Sequence, residues 1–400
     1  MRIAADRNIP CISEACHGLG TLRFFDAGDR PGLHGLLSAS DVLLCRSTIQ
    51  VNEALLHDTP VRFVATATSG SDHLDLPWLR GRGIGVATAA GSNARSVAEW
   101  WGAAILELHA RGHMHIPEST VGIVGVGHVG RQVADVAHAL GMRCLYNDPP
   151  RALRGESPLP GCGQSFAPLD ELLRCSVVSL HVPLTTRGPF PTRGLFGQEM
   201  FDRMSRETVF LNAARGGVMT ADAVLKRAAQ GSFVVLDVFP DEPRVDPALV
   251  EAAEIATPHI AGHALDGKLL GTQMVYEALC AWLKVPPTWT HTSCLERYDR
   301  GGGGRRIHPA APVLQADTAA EHADVCSEVL GIVRHVYDIR QDDTALREAL
   351  SGDAPAAAFN RLRADYPPRR EFRAVSVTPD GLSSAAVGML QALGFRIAAR

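Results

Sequence analysis

The sequence predicts an α/β protein with two doubly wound domains, each built on a parallel sheet, and a smaller C-terminal α+β domain. Short apolar runs alternate with helical patterns from the N-terminus to Leu283, and the runs in the middle of the chain are almost continuous Val, Ile and Leu. Strands covered by helices on both faces have this composition, and repeated alternation of strand and helix is typical of parallel sheets.

The candidate strands form two series. The first is Arg2–Ala4, Val42–Cys45, Arg62–Ala65 and Val86–Ala87, and the second is Val121–Val124, Arg143–Asn147, Val177–Leu180, Val209–Leu211 and Phe233–Asp237. Helical spacing fills the gaps at Val129–Leu140, Leu169–Leu173 and Asp222–Ala229, and Asn93–His109 has the spacing of one long helix between the series. We therefore expect one domain from residues 1–92 with 264–288 and a second from residues 93–263.

The composition changes after Leu283. Four glycines at Gly301–Gly304 are typical of a linker, because such a run cannot hold regular structure cheaply. Beyond them, Ala319–Val336 and Ala357–Asp365 have helical spacing, and FRAVSV at 372–377 resembles a strand. Residues 289–400 are therefore predicted to form the third domain.

Charge and cysteine content exclude several classes of function. The net charge of −4 is spread without long blocks of one sign, so no nucleic-acid partner is expected. No apolar stretch is long enough to cross a bilayer, and the first residues do not form a secretory signal, so no membrane association is expected. Nine cysteines without a C-x-x-C pair then indicate reduced thiols and a cytoplasmic protein.

A glycine pattern of the form G-x-G-x-x-G occurs at Gly125, Gly127 and Gly130, between a predicted strand and a predicted helix. These glycines permit a tight turn, close approach of a pyrophosphate and close packing of helix on strand. Asp148 ends the next strand, 18 residues after Gly130, where it can bind ribose hydroxyls and repel a 2′-phosphate. The pattern predicts an NAD site, with Arg151 and Arg154 close to Asp148. A methyltransferase using S-adenosylmethionine on the same fold is the alternative.

Polar residues follow three successive strands at the edge where such sheets bind ligands. Arg215 precedes a Gly-Gly turn, Glu242 lies in a Pro-flanked loop shortly after Asp237, and His259 follows Pro258. Each residue alone is typical of a solvated loop. Together they bring an Arg, a carboxylate and a His to one edge, which a methyltransferase would not need.

This set of side chains suits the oxidation of a 2-hydroxy acid. A guanidinium can hold the substrate carboxylate through two parallel hydrogen bonds, which makes Arg215 the candidate for that role. Histidine can gain and lose a proton near neutral pH, so His259 can take the hydroxyl proton. Glu242 on the other imidazole nitrogen would fix the tautomer and stabilise the imidazolium, while hydride passes to NAD.

Four strings, GIVGVGHVG, NAARGG, LDVFPDEP and TPHIAGH, resemble the D-isomer-specific 2-hydroxy acid dehydrogenases over roughly residues 1–285. The resemblance implies catalytic roles for Arg215, Glu242 and His259, with His259 as the acid/base. It implies substrate binding by residues 1–92 with 264–288, NAD binding by residues 93–263, and homodimerisation through residues 289–400. Beyond the glycine turn it places NAD on His128, Val129, Asp148, Val182, Asp237 and Gly262, and a small phosphorylated hydroxy acid on Ser47, Thr68 and His263.

Two positions depart from the family pattern: Val182 stands where Thr is usual, and His263 stands where Tyr is usual.

Two alternative functions stay open. One is a dehydrogenase that acts on phosphoglycerate or glyoxylate, and the other is an NAD-sensing, corepressor-like binding protein. No metal site is predicted, because His109, His113 and His115 lack the companions that complete a ligand set. Trp100 and Trp101 are expected to pack at a domain interface.

Overall fold

The computed structural model describes residues 1–300, 306–307 and 325–399. The predicted linker glycines 301–304 and the start of the predicted helix, 319–324, lie outside the described residues. The strands are β1 Arg2–Asp6, β2 Thr21–Phe25, β3 Val42–Cys45, β4 Phe63–Thr66, β5 Gly85–Thr88, β6 Thr120–Val124, β7 Arg143–Asn147, β8 Val177–Leu180, β9 Val209–Asn212, β10 Val234–Leu236, β11 Ile255–Ala256, β12 Arg306–Ile307, β13 Ser376–Val377 and β14 Arg396–Ile397.

Helices connect these strands. They are α1 Ile12–Ala15, α2 Arg30–Leu37, α3 Glu53–Leu56, α4 Leu76–Gly81, α5 Ala94–Ala110, α6 His128–Ala139, α7 Pro149–Leu153, α8 Leu169–Leu172, α9 Gln198–Asp202, α10 Ala221–Ala229, α11 Pro247–Ala252, α12 Leu265–Leu283, α13 Thr292–Tyr298, α14 Val325–Val336, α15 Ile339–Leu350, α16 Pro355–Ala364 and α17 Ser384–Ala392. Within the described residues, no helix is long and apolar enough to span a membrane.

The strands form three sheets in which all neighbours are parallel. Their orders are β2-β1-β3-β4-β5, β11-β10-β9-β8-β6-β7 and β12-β13-β14. In the first two sheets the order reverses beside the first strand of each, which is the doubly wound topology. The predicted α/β class is therefore confirmed.

The chain divides into two compact units, which are Met1–Asn93 with Ala264–Gly304 and Ala94–His263 with Arg305–Arg400. The first unit contains the five-stranded sheet, and the second contains the six-stranded and three-stranded sheets. Residues 325–399, which we call the C-terminal module, thus lie in the same unit as the sheet that follows α5. The assignment of separate substrate, NAD and dimerisation roles to three domains stays a prediction.

The core of the second unit is shared between the six-stranded sheet and the C-terminal module. Val133 of α6, Val329 of α14 and Leu390 of α17 belong to one buried cluster. Trp100 and Trp101 of α5 belong to the same cluster and are fully buried. The cluster combines residues of the predicted NAD-binding domain with residues of the C-terminal module, and the expectation that this pair packs at a domain interface stays a prediction.

A carboxyl group is buried on α5. Glu99 is 2% exposed, accepts the Nε–H of Arg95 at 2.9 Å and accepts the backbone N–H of Phe372 at 3.0 Å. Burial and the nearby negative charge of Glu371 raise the pKa of Glu99 from 4.5 to about 8, against the opposing effect of Arg95. The folded chain therefore keeps a proton that an unfolded chain would lose.

This proton makes stability depend on pH. Because the folded state binds the extra proton between pH 4.5 and about 8, the free energy of unfolding should fall as pH rises through that window. The contribution is at most ~1.4 kcal/mol per pH unit. Glu99→Gln cannot ionise and should flatten the dependence in urea denaturation, whereas the exposed Glu199→Gln should not. An unchanged slope in Glu99→Gln would contradict the burial account.

Candidate active site

The glycine turn lies at the point where the order of the six-stranded sheet reverses, between β6 and β8. Gly125 has φ +90°, and a Cβ on it would lie 2.7 Å from the carbonyl oxygen of His181. A Cβ on Gly130 would lie 2.1 Å from the carbonyl oxygen of Gly125. Both positions therefore require glycine, since the turn, the helix and the β8 end approach too closely for a side chain.

Gly127 has a different environment. It precedes α6 without a capping side chain, and a Cβ on it would meet no atom within 4 Å. The N-terminus of α6 therefore has no side-chain cap and has open space beside Gly127, and such a helix N-terminus can hold a pyrophosphate. The exposed His128 and the half-buried Val129 begin this helix. The turn fits a dinucleotide.

Asp148 follows β7 and supports the glycine turn. Its carboxylate accepts the N–H of Val126 at 2.9 Å and the N–H of Arg151 at 3.2 Å. The guanidinium of Arg151 donates to the carbonyl of Val126 at 2.6 Å, to the carbonyl of Ser157 at 2.7 Å and to Glu156 at 2.7 Å. All its nitrogens are used, so Arg151 is not available to bind a 2′-phosphate.

Removing the charge of Asp148 should therefore relax cofactor choice. In Asp148→Asn one acceptor oxygen remains for the turn, while the repulsion of a 2′-phosphate is lost. We expect the ratio of kcat/KM with NADP to that with NAD to rise about tenfold, which corresponds to ~1.4 kcal/mol. Asp202→Asn, at an exposed site that leaves Asp148 and Arg151 intact, is the control. An unchanged ratio in Asp148→Asn would remove Asp148 from cofactor discrimination.

The loop after β9 carries Arg215. Asn212 fixes the loop, because its side chain accepts the N–H of Ala214 and donates to the carbonyl of Arg215, each at 3.0 Å. The Arg215 guanidinium donates to the Ala214 carbonyl at 2.7 Å. A Cβ on Gly216 would lie 2.0 Å from the backbone of Phe239, so glycine there lets this loop pack on the loop that carries Glu242.

His259 and Glu242 form a hydrogen-bonded pair. The Nδ1–H of His259 donates to Oε2 of Glu242 at 2.6 Å, and Oε1 of Glu242 accepts the N–H of Phe239 at 2.8 Å. Burial alone would raise the pKa of Glu242, but the charge and hydrogen bond of His259 outweigh it and hold that pKa below its usual value. An ionised Glu242 accepts only, so Nδ1 carries the proton and Nε2 is the nitrogen able to accept another.

His259 lies in residues 256–263, which we call the catalytic segment, and its backbone is strained. Its φ is +56°, a left-handed conformation that costs a non-glycine residue ~1–2 kcal/mol. The buried Asp237 holds this conformation by accepting the Thr257 hydroxyl at 2.6 Å and the N–H groups of Ile260 at 2.8 Å and Ala261 at 3.1 Å. Burial raises the pKa of Asp237 to about 6, although His259 and these donors oppose the rise.

The remaining predicted cofactor and substrate residues lie at sheet edges. Val182 is half-buried after β8, and Gly262 and His263 end the catalytic segment. In the first unit, exposed Ser47 follows β3, and Thr68 follows β4 with its hydroxyl 2.7 Å from that of Thr66. Their binding roles stay predictions.

Arg46 of the first unit is held by a buried carboxylate. Its Nε donates to Asp6 at 3.0 Å, and the Thr48 hydroxyl donates to the same carboxylate at 3.1 Å. Asp6 thus fixes the guanidinium beside Ser47 at the end of β3, at the reversal point of the five-stranded sheet.

The histidines at the end of α5 make structural contacts. His109 bonds to the Met114 carbonyl at 3.1 Å, and His113 stacks on Phe233 with ring centroids 4.0 Å apart. Among the described residues, one group, Cys11, Glu14 and Cys294, has ligand atoms within 4.8 Å of one another. The carboxylate of Glu14 in this group accepts a hydrogen bond from the guanidinium of Arg297 at 2.8 Å.

Three residues near the site escaped the sequence analysis. His181 follows β8 opposite Gly125, bonds to Ser179 at 2.9 Å and has its pKa lowered to about 3 by burial, so its ring is neutral. Asn212 fixes the Arg215 loop, and Thr257 accepts the Nε1–H of Trp100 at 3.1 Å while donating to Asp237. The position of His181 and Asn212 at strand ends is the signal that could have found them.

Residues 89–261 match the family model of the D-isomer specific 2-hydroxyacid dehydrogenase, NAD binding domain. Residues 309–394 match a domain of unknown function, DUF3410. The second unit therefore binds NAD, and the fold and site define an NAD-dependent oxidoreductase of the 2-hydroxy acid dehydrogenase class.

Curated relatives narrow the class. The chain is 42% identical to the erythronate-4-phosphate dehydrogenase of Salinibacter ruber over 93% of each chain, and 41% identical to that of Azotobacter vinelandii over 98% of this chain and 99% of the relative. It belongs to the erythronate-4-phosphate dehydrogenase family. The solved D-lactate dehydrogenase from Aquifex aeolicus, complexed with NAD and lactic acid, shares the fold with a TM-score of 0.60 at 23% identity, over 71% of this chain and 96% of its own.

Proposed function

We propose that this protein oxidises 4-phospho-D-erythronate to (R)-3-hydroxy-2-oxo-4-phosphooxybutanoate with NAD, as a step in pyridoxine 5′-phosphate (vitamin B6) biosynthesis. The observation that carries the proposal is the 2.6 Å hydrogen bond between His259 and Glu242 beside the Arg215 loop, in a chain of this family. A sensor of NAD would need the nucleotide turn but no acid/base pair.

His259 acts as the base. Its Nε2 takes the proton of the C2 hydroxyl, while the negative charge of Glu242 stabilises the imidazolium and keeps the ring oriented through Nδ1. NAD, when bound, accepts the C2 hydrogen as hydride. The substrate thus loses a proton and a hydride, and the products are the 2-oxo acid and NADH.

Arg215 holds the substrate carboxylate. Its guanidinium is anchored at Nη1 by the Ala214 carbonyl. The planar fork of donors in a guanidinium matches the two oxygens of a carboxylate. Asn212 and Gly216 fix its loop. Binding the carboxylate orients C2 and its hydroxyl toward His259.

Ser47, Thr68 and His263 bind the rest of the substrate, including its phosphate. Hydroxyl groups, backbone N–H groups and one guanidinium can hold a dianion without a broad basic surface, which accords with the net charge of −4. The fixed Arg46 supports this role for the end of β3.

We further infer a homodimer that works in the cytoplasm. The family resemblance supports dimerisation, and the cysteine content supports a reducing compartment. Sedimentation of the full chain should give a mass of two chains, and a mass of one chain would contradict the dimer. Removing the C-terminal module is not a suitable test, because it supplies buried core residues such as Val329 and Phe359.

The substrate panel tests the proposed activity. Purified protein is offered NAD with 4-phosphoerythronate, erythronate, 3-phosphoglycerate or glycolate. A second 2-oxo acid is present to reoxidise tightly held cofactor, and the 2-oxo acid formed from each substrate is measured by mass spectrometry. We expect 4-phosphoerythronate to exceed erythronate by about a hundredfold, since loss of a charged contact costs ~2–3 kcal/mol.

Each other outcome excludes a part of the proposal. Equal rates with erythronate and 4-phosphoerythronate would contradict the proposed contacts to the phosphate. A higher rate with 3-phosphoglycerate or glycolate than with 4-phosphoerythronate would assign a different substrate. NADH binding without turnover of any acid would favour the NAD-sensing protein.

A further inference from the structure

The C-terminal module, which matches a domain of unknown function, contacts the catalytic segment at both of its ends. Asp343 of α15 accepts the N–H of Ala256 at 2.8 Å. Arg369, after α16, donates through Nη2 to the carbonyl of Ala261 at 2.6 Å. Two side chains of the module therefore satisfy backbone groups on either side of His259.

Arg369 is buried and rigidly oriented. It is 7% exposed, its guanidinium carbon lies 4.1 Å from the ring centroid of Tyr337, and Nη2 also approaches the Ser96 carbonyl at 3.4 Å. The hydroxyls of Tyr337 and Tyr366 both donate to Asp342 at 2.9 Å, which fixes the ring against which Arg369 lies.

The burial of this cation is incompletely compensated. Nε and Nη1 of Arg369 have no hydrogen-bond partner among the described residues. Burying a charge with unpaired donors is costly. Packing alone would be served better by an apolar residue. The guanidinium adds its contact with the Tyr337 ring and its hydrogen bonds to two carbonyls, of which the bond to Ala261 is the shorter.

That contact and one from Asp237 together hold both backbone polar groups of Ala261. Asp237 accepts the Ala261 N–H at 3.1 Å, and Arg369 donates to the Ala261 carbonyl. The orientation of the Ala261–Gly262 peptide sets the direction of the Gly262 N–H and the position of His263. The ring of His263 in turn meets the edge of Tyr366, with centroids 5.8 Å apart at 84°.

The module also reaches the Glu242 loop. Phe359 of α16 is fully buried and contacts the ring of Phe239, with centroids 6.5 Å apart. Phe239 supplies the N–H that holds Glu242, and the positive charge of Arg363 contributes to lowering the pKa of that carboxyl.

We propose that the C-terminal module is part of the active-site scaffold, with Arg369 as a positioning residue that fixes the catalytic segment through the Ala261 carbonyl and with Tyr366 supporting His263. The inference rests on the proposed function, because it assigns Gly262 to the cofactor and His263 to the substrate. The module thus acts within its own chain, in addition to any role in dimerisation.

The test compares Arg369→Met, which keeps the packing, with Arg369→Lys, which keeps the charge. Arg396→Met, an exposed site on the same module, is the control. We expect kcat/KM for 4-phosphoerythronate to fall about tenfold to a hundredfold in Arg369→Met, the usual effect of misplacing reacting groups by about 1 Å. KM should rise, the sedimentation mass should stay unchanged, and Arg369→Lys should recover part of the loss.

The outcomes separate positioning from folding and from the proposed function. The inference would be overturned if Arg369→Met yields less active protein but keeps the wild-type KM. It would also be overturned if the kcat and KM of Arg369→Met equal those of Arg396→Met. If Arg369→Met does not fold, Tyr366→Leu decides, with a several-fold rise in substrate KM expected and wild-type constants overturning the proposal. Inactive wild-type and Arg396→Met proteins would instead refute the proposed function.

Discussion

His259→Asn should lower kcat about 10²–10⁴-fold, the usual contribution of a positioned acid/base. Asparagine suits this test because it tolerates the left-handed φ of +56° and can still donate to Glu242. The backbone of the catalytic segment should therefore survive, and only proton transfer is lost. Steady-state kinetics with saturating 4-phosphoerythronate measures the effect.

NADH binding separates loss of chemistry from loss of structure. Fluorescence titration should give nearly the wild-type affinity in His259→Asn, because the imidazole moves a proton and does not hold the pyrophosphate. His17→Asn, at an exposed site, is the matched control. Retention of more than half of the wild-type kcat in His259→Asn would remove this residue from the mechanism.

Arg215→Lys should lower kcat/KM about 30-fold to 150-fold, since a point charge cannot reproduce the two-pronged contact worth ~2–3 kcal/mol. Both KM and kcat should change, because the guanidinium also orients C2 toward His259. Arg206→Lys, at an exposed site nearby in sequence, should behave as wild type. Full recovery of rate at saturating substrate would make Arg215 a binding residue only.

Local sequence patterns predicted most strands because helices cover those strands on both faces. Val177–Leu180 was predicted with its observed bounds, as was Arg143–Asn147. The edge strand β2, with the sequence TLRFF, was missed because three of its five residues are exposed and it lacks an apolar run. Helix α15 was missed for a related reason, since only Ile339, Leu346 and Leu350 are buried in it.

The candidate site was predictable to the extent that it sits at strand ends. Arg215, Glu242 and His259 stood out because parallel strands bring their carboxyl ends to one edge. The residues that position these three side chains could not be predicted from the sequence, because their contacts join distant parts of the chain. Arg369 lies 108 residues from Ala261, and neither position carries a local pattern that indicates the other. The left-handed φ of His259 likewise could not be predicted from the sequence.

The proposed reaction moves the C2 hydrogen of the substrate to NAD as hydride, and isotopic labelling follows that hydrogen. The protein is supplied with NAD and 4-phosphoerythronate deuterated at C2, and the nucleotide product is analysed by mass spectrometry. We expect the NADH to carry one deuterium and the rate under single-turnover conditions to be lower than with unlabelled substrate. NADH of natural mass, or no NADH at all, would contradict hydride transfer from C2.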